Sequence, residues 1–167
     1  YDTMQSIIGY PVKTKGSLAD AGVTHKELHM SGEHVDLEAV KKIVPKNTQM
    51  VHIQRSCGYS SLRKTISVEE IGRIIAAAKE ANPDVIAYVD NCYGEFIEKQ
   101  EPTEVGADIM AGHLIKNLGG GLAPPGGYIV GRADLVANAA YRLTAPGLGG
   151  AMGATLGATQ RQLYQGL

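Results

Sequence analysis

Cysteine is scarce: the 167-residue chain carries two, Cys57 and Cys92. They lack C-x-x-C spacing, so neither a disulfide framework nor a structural zinc site is expected, and a reducing, cytoplasmic compartment fits. An excess of charge is also missing. Lys and Arg number 16 against 17 for Asp and Glu, a net of -1, which offers nothing to draw nucleic acid or an anionic lipid surface. Apolar runs fall far short of the ~20 residues that cross a bilayer, and no basic segment followed by an apolar one opens the chain as a leader would. What is present, 44% hydrophobic and 20% charged residues, is ordinary for a folded globular protein. The length suits one domain at roughly 100–200 residues per domain, with a substantial core. The chain opens on Tyr1 rather than Met, and the stretch from Gly153 to Leu167 reads as a helix interrupted partway. The sequence is therefore expected to be a piece of a longer protein.

Along the chain, Lys26–Met30 is read as a strand, and residues 35–44 carry apolar residues at helical spacing up to Pro45, which stops them. Residues 49–54 read as a strand, and a polar, glycine-containing loop follows from Arg55 to Lys64. Ser67-Val68-Glu69-Glu70 has the pattern of a capping box, opening a helix through Ile71, Ile74, Ile75 and Ala78 toward Asn82-Pro83. Residues 84–90 form a near-continuous apolar run ending in Asp90, the mark of a strand buried on both faces. Further apolar runs at 107–115 and 127–131, a helix at 134–143, and a glycine-rich joint at 147–153 before a last helix complete the order. Strands alternating with helices imply an α/β fold, a mainly parallel sheet flanked by helices.

Ligands of open α/β sheets bind outside the carboxyl ends of the strands. Three strand ends qualify: Gln54-Arg55-Ser56, Asp90-Asn91-Cys92-Tyr93, and His113 to Asn117. A carboxylate closing a buried strand needs a cation or several donors, so Asp90 requires a partner, whether a nearby Arg, a helix N-terminus or a ligand. Lys116 alone reads as an exposed strand-end charge. Asp90 and Lys116 together, at the ends of successive strands, suit pyridoxal phosphate, which needs an amine to bind it covalently and an acid on its pyridine nitrogen.

The stretches Val89-Asp90-Asn91-Cys92-Tyr93-Gly94-Glu95-Phe96 and 105–128 carry a family resemblance. So do Ile53-Gln54-Arg55-Ser56-Cys57-Gly58-Tyr59-Ser60 and Tyr141-Arg142-Leu143-Thr144-Ala145-Pro146-Gly147. In that order they resemble the methionine gamma-lyase-like family, often labelled aluminium resistance proteins, among the fold type I pyridoxal 5'-phosphate enzymes of cysteine and methionine metabolism. The resemblance implies that residues 1–150 are the central part of a large cofactor-binding domain. Residues 151–167 would begin a helix leading to a C-terminal domain outside this sequence. It makes Lys116 the Schiff-base lysine and Asp90 the partner of the pyridine nitrogen, and it brings Arg55 and Ser56 toward the cofactor or substrate. His113 stands three before the lysine, where the family usually has a small hydroxyl residue on the cofactor phosphate, so that contact would be made differently, by an imidazole donor. Asn91 and Tyr93 are expected to line the same site. The phosphate-binding turn and the aromatic stacked on the ring would come from an N-terminal part. The activity implied is a carbon–sulfur lyase acting on a sulfur-containing amino acid such as cystathionine or methionine, by beta- or gamma-elimination, with aminotransfer or another amino-acid lyase reaction as the alternatives, in a homodimer or homotetramer.

A non-catalytic scaffold in which Asp90 and Lys116 form a structural ion pair is the competing reading. A nucleotide site in the glycine-rich segment 119–127 lacks both the P-loop lysine and the G-x-G-x-x-G pattern. His29, Glu33 and His34 miss the zinc-protease spacings, so no metal is expected. Cys57 and Cys92 have no evident His partner and are read as buried, inert thiols.

Overall fold

The computed structural model describes residues 2–30, 32, 34–59, 63–116, 120–153 and 155–167. Its elements run α1 Asp2–Ile8, α2 Leu37–Ile43, β1 Met50–Gln54, α3 Val68–Ala81, β2 Ile86–Asp90, β3 Ile109–His113, β4 Gly127–Gly131, α4 Ala133–Leu143 and α5 Gly157–Gly166. The strands pair in the order β1-β2-β3-β4. The first two pairings are parallel and the last is antiparallel. The expected α/β class with a mainly parallel sheet is the one found.

Local chemistry sets the helix ends. Asp36 caps α2, its Oδ1 accepting from the Glu38 and Ala39 amides at 3.0 and 3.2 Å. The helix closes at Val44, held at φ -103° and ψ 79°, because the residue before a proline is pushed out of the helical region. Ser67 Oγ accepts from the Glu70 amide at 3.2 Å and caps α3. The reciprocal half of the capping box does not form. The Glu70 carboxylate accepts from the Val35 amide at 3.1 Å instead, tying the entry of α2 to the first turn of α3.

Two further expectations change. Residues 26–30 make no strand ladder, although Leu28 and Met30 pack on the core as alternation predicts; periodicity places side chains but does not supply a hydrogen-bonding partner. The run ending at Asp90 is buried on one face only. Ala87 and Val89 are sealed beneath α2 and α3, together with Ile53 and Met110, while Tyr88 and Asp90 are half-buried on the other side. Register extends that second face across the sheet, aligning His52 with Tyr88, Gln54 with Asp90, and Asp90 with Ala111.

At the opposite end of the sheet, Asp108 accepts from the Ala87 amide at 2.8 Å and pairs with Lys79 at 2.9 Å and Arg132 at 3.5 Å. Burial pushes its carboxyl up, but the Ala87 amide, Lys79 and Arg132 outweigh burial and hold it below its ordinary value of 3.8. A depressed carboxyl stabilises the fold above the unfolded value, and the contribution disappears as pH falls through the folded one. Asp108→Asn is expected to lower stability at neutral pH and to flatten the loss on acidification below about pH 4. Urea midpoints across pH for both forms of the full-length protein measure this; parallel curves would refute it.

Candidate functional site

The carboxyl ends of β2 and β3 are adjacent, and the segments leaving them meet. Asp90 ends β2, and its Oδ1 accepts from the Cys92 amide at 3.1 Å. This short turn folds residues 91–93 back over the strand end. Among the described residues no donor reaches the other carboxylate oxygen. Lys116, three residues past the end of β3, extends to this turn: Nζ lies 2.8 Å from Cys92 Sγ and 3.9 Å from the centre of the Tyr93 ring. Tyr93 sits at φ 70°, a backbone conformation costly for a bulky residue and kept only where surroundings fix it. Burial pulls the Lys116 ammonium down, yet the Cys92 sulfur, and then Tyr93, leave it raised above its ordinary 10.5.

The surroundings that fix this turn lie behind it. Arg55 is 1% exposed because it follows Gln54 in β1, and alternation turns it to the helix-covered face, away from Asp90. Its Nη1 donates to Asn91 Oδ1 at 2.7 Å and to the Gly94 carbonyl at 2.8 Å, and its Nη2 to Glu98 Oε1 at 2.6 Å. Buried Asn91 passes the connection on, its Nδ2 donating to Glu101 Oε2 at 2.9 Å and the Tyr128 hydroxyl at 3.2 Å. Glu95, 4% exposed, accepts from the His113 amide at 2.9 Å and the Tyr128 hydroxyl at 3.3 Å. The network therefore joins β1, the 91–101 segment, β3 and β4. Burial, with the Glu95 and Glu101 charges, pushes the Tyr128 phenol far above its ordinary range despite its bond from Asn91. A side chain at Gly94 would strike the Arg55 guanidinium, and one at Gly112 would strike Glu95 and Tyr128.

The residues singled out from sequence thus divide. Asp90 and Lys116 reach the same turn, and His113 ends β3 on the same face as Asp90, its Nδ1 buried with no hydrogen-bond partner among the described residues. Arg55 is committed to the turn from behind. Ser56 is half-buried, and its carbonyl accepts from Arg63. An Asp90–Lys116 ion pair is not formed among the described residues; the amine rests on Cys92. Neither cysteine is buried, which corrects the expectation of inert interior thiols. Sequence reasoning missed the contact between Cys92 and Lys116, and the Glu95, Glu98, Glu101 and Tyr128 network. The acid spacing of three after Asp90 was its one visible trace. His52, stacked on Tyr88 at 5.0 Å between ring centres, extends the Asp90 face. Burial lowers its imidazole, and its Nε2 is buried without a partner among the described residues.

Around one strand-end face the arrangement offers an amine, a half-buried carboxylate and an imidazole, and among the described residues one carboxylate oxygen and one ring nitrogen have no partner. Those groups fit a flat, cationic heteroaromatic ring bearing an aldehyde and an anionic substituent.

The whole chain, residues 1–167, matches the model of the methionine gamma-lyase family. A 33.9 kDa protein of Lactobacillus delbrueckii subsp. bulgaricus, described as uncharacterized, is 47% identical over 99% of this chain and 54% of its own length. A solved Listeria monocytogenes structure, described as involved in aluminum resistance, is 47% identical with a TM-score of 0.90, over 99% of this chain and 42% of that one. The structure of a carbon-sulfur lyase involved in aluminum resistance from Clostridium novyi is 43% identical, with a TM-score of 0.88 over 100% of this chain and 40% of that one. At 22% identity and a TM-score of 0.57, a methionine gamma lyase from Micromonospora echinospora shares the fold over 78% of this chain and 32% of its own. The chain thus spans about half the length of the curated relative and less of the solved structures.

Proposed function

The chain belongs to the methionine gamma-lyase family, and from that membership we propose that the full-length protein is a pyridoxal 5'-phosphate-dependent carbon–sulfur lyase acting on a sulfur-containing amino acid such as cystathionine or methionine. The observation that carries the reading is the convergence of Lys116 and Asp90 on the turn at 91–93. When bound, pyridoxal 5'-phosphate supplies the electron sink that acidifies the substrate α-carbon. Lys116 Nζ would be the amine that holds the cofactor, and the same amine, when free, would serve as the general base toward the substrate α-proton. Asp90, with one carboxylate oxygen taken by the Cys92 amide, would be the acidic partner of the pyridine nitrogen. His113 Nδ1 is the candidate donor to the phosphate. Arg55 supports this site by holding the turn, and Ser56, directly after it in the segment leaving β1, is the remaining candidate toward cofactor or substrate. A homodimer or homotetramer in the cytoplasm belongs to the same reading. Among the described residues no helix is long and apolar enough to cross a membrane.

The test is the absorption spectrum of the full-length protein between about 300 and 500 nm before and after borohydride reduction, with mass mapping of the modified peptide. A visible band that borohydride bleaches, with the cofactor mass on Lys116, is expected. No band with added pyridoxal 5'-phosphate, or the mass on another lysine, overturns the assignment.

A further inference from the structure

Cys92 occupies a position the proposed chemistry does not use. Its amide is held by Asp90 Oδ1 at 3.1 Å, its neighbour Asn91 is fully buried against Arg55, and its other neighbour, Tyr93, is held in a left-handed conformation. The sulfur is therefore placed by backbone constraints on both sides. From that place it accepts from Lys116 Nζ at 2.8 Å, while the Tyr93 ring lies 3.9 Å from the same nitrogen. A flexible lysine with four rotatable bonds otherwise spreads its amine over many positions, and ordering it costs conformational entropy.

We propose that Cys92 is a positioning residue for Lys116: in every form of the protein in which that amine is free, the Cys92 sulfur holds it against the Tyr93 face beside Asp90 and shares its proton. The proposal deepens the functional reading given above, since it assigns the device that keeps the amine in place for proton transfer. Cys92 and Tyr93 are the titratable groups bearing on the amine among the described residues, with Asp90 one step behind through the Cys92 amide. Tyr93 works in the same direction as the sulfur, so removal of the sulfur alone leaves part of the effect. The direction of the Lys116 shift agrees, since both groups raise it and burial opposes them.

Competitive acylation of the amines of the cofactor-free, full-length protein with acetic anhydride across pH tests this. The extent at Lys116 is read by peptide mass against Lys13 as an exposed internal reference. In Cys92→Ala the Lys116 titration midpoint is expected to move to lower pH, so acylation below the midpoint speeds up several-fold. Cys92→Ser, which keeps an acceptor but no comparable acid, is expected to fall between. Should Cys92→Ala fold poorly, reversible blocking of Cys92 with methyl methanethiosulfonate in a Cys57→Ser background is expected to give the same shift, undone by a thiol reductant. A midpoint unchanged by substitution and by blocking overturns the proposal. The cofactor is absent throughout, so this outcome is separate from failure of the spectrum test above: a colourless protein with a shifted midpoint keeps the positioning role and loses the lyase reading, and a coloured protein with a fixed midpoint does the reverse.

Discussion

Lys116→Ala in the full-length protein is expected to abolish the borohydride-sensitive visible band and to reduce turnover to background. Two losses combine. On the proposed assignment the nitrogen that would hold the cofactor is gone, and so is the base, whose proton transfer alone would contribute roughly 10²–10⁴-fold. Fold stability should change little, because Lys116 is exposed and its described contacts are to the surface of one turn. An added primary amine is expected to restore a small part of the turnover, since it supplies a base without a tether. Equal circular dichroism and melting behaviour with loss of the band confirms the assignment. Retention of the band in Lys116→Ala places the cofactor elsewhere.

Arg55→Ala is expected to have the largest effect on stability. The buried guanidinium pairs with the part-exposed Glu98 at 2.6 Å and lies 3.9 Å from Glu101. Its loss also takes donors from Asn91 and the Gly94 carbonyl. Removing one partner of a buried pair costs about 3–5 kcal/mol because the remaining charge stays in a poorly solvated place. Glu98→Gln should cost clearly less, since Glu98 is 38% exposed and water screens it. Urea denaturation of both variants checks the order. If Arg55→Ala lies within 1 kcal/mol of the parent in that measurement, the network does not hold the turn.

Much of the fold is legible in the residues. Helices α2 and α3 follow from Asp36, Ser67 and their apolar spacing, and β1 and β2 from short apolar runs bounded by Pro, Asn and polar loops. What escaped is nonlocal. Residues 26–30 alternate like a strand but find no ladder. The run at 86–90 is apolar enough for burial on both faces, yet Tyr88 and Asp90 face the side that α2 and α3 leave uncovered. At the site, the meeting of Asp90 and Lys116 is readable because both close apolar runs. The commitment of Arg55 is not, since a strand-end arginine reads alike whether alternation points it toward the ligand face or behind it. Cys92 escaped because a thiol without a histidine neighbour in sequence looks inert, and its partner lies 24 residues away.

The antiparallel pairing of β3 with β4 has a bearing on how sequences of this kind can vary. His113 lies opposite Gly127, and the Leu114 amide donates to the Gly126 carbonyl at 2.9 Å. The excursion that carries Lys116 therefore leaves and rejoins the sheet at one point. Closing such an excursion grows more costly only slowly with length, about 0.6 kcal/mol for each doubling. Lys116 sits near its departure point, with its amine gripped by a separate turn. A single residue added between His113 and Lys116 is therefore expected to swing the amine away from Cys92.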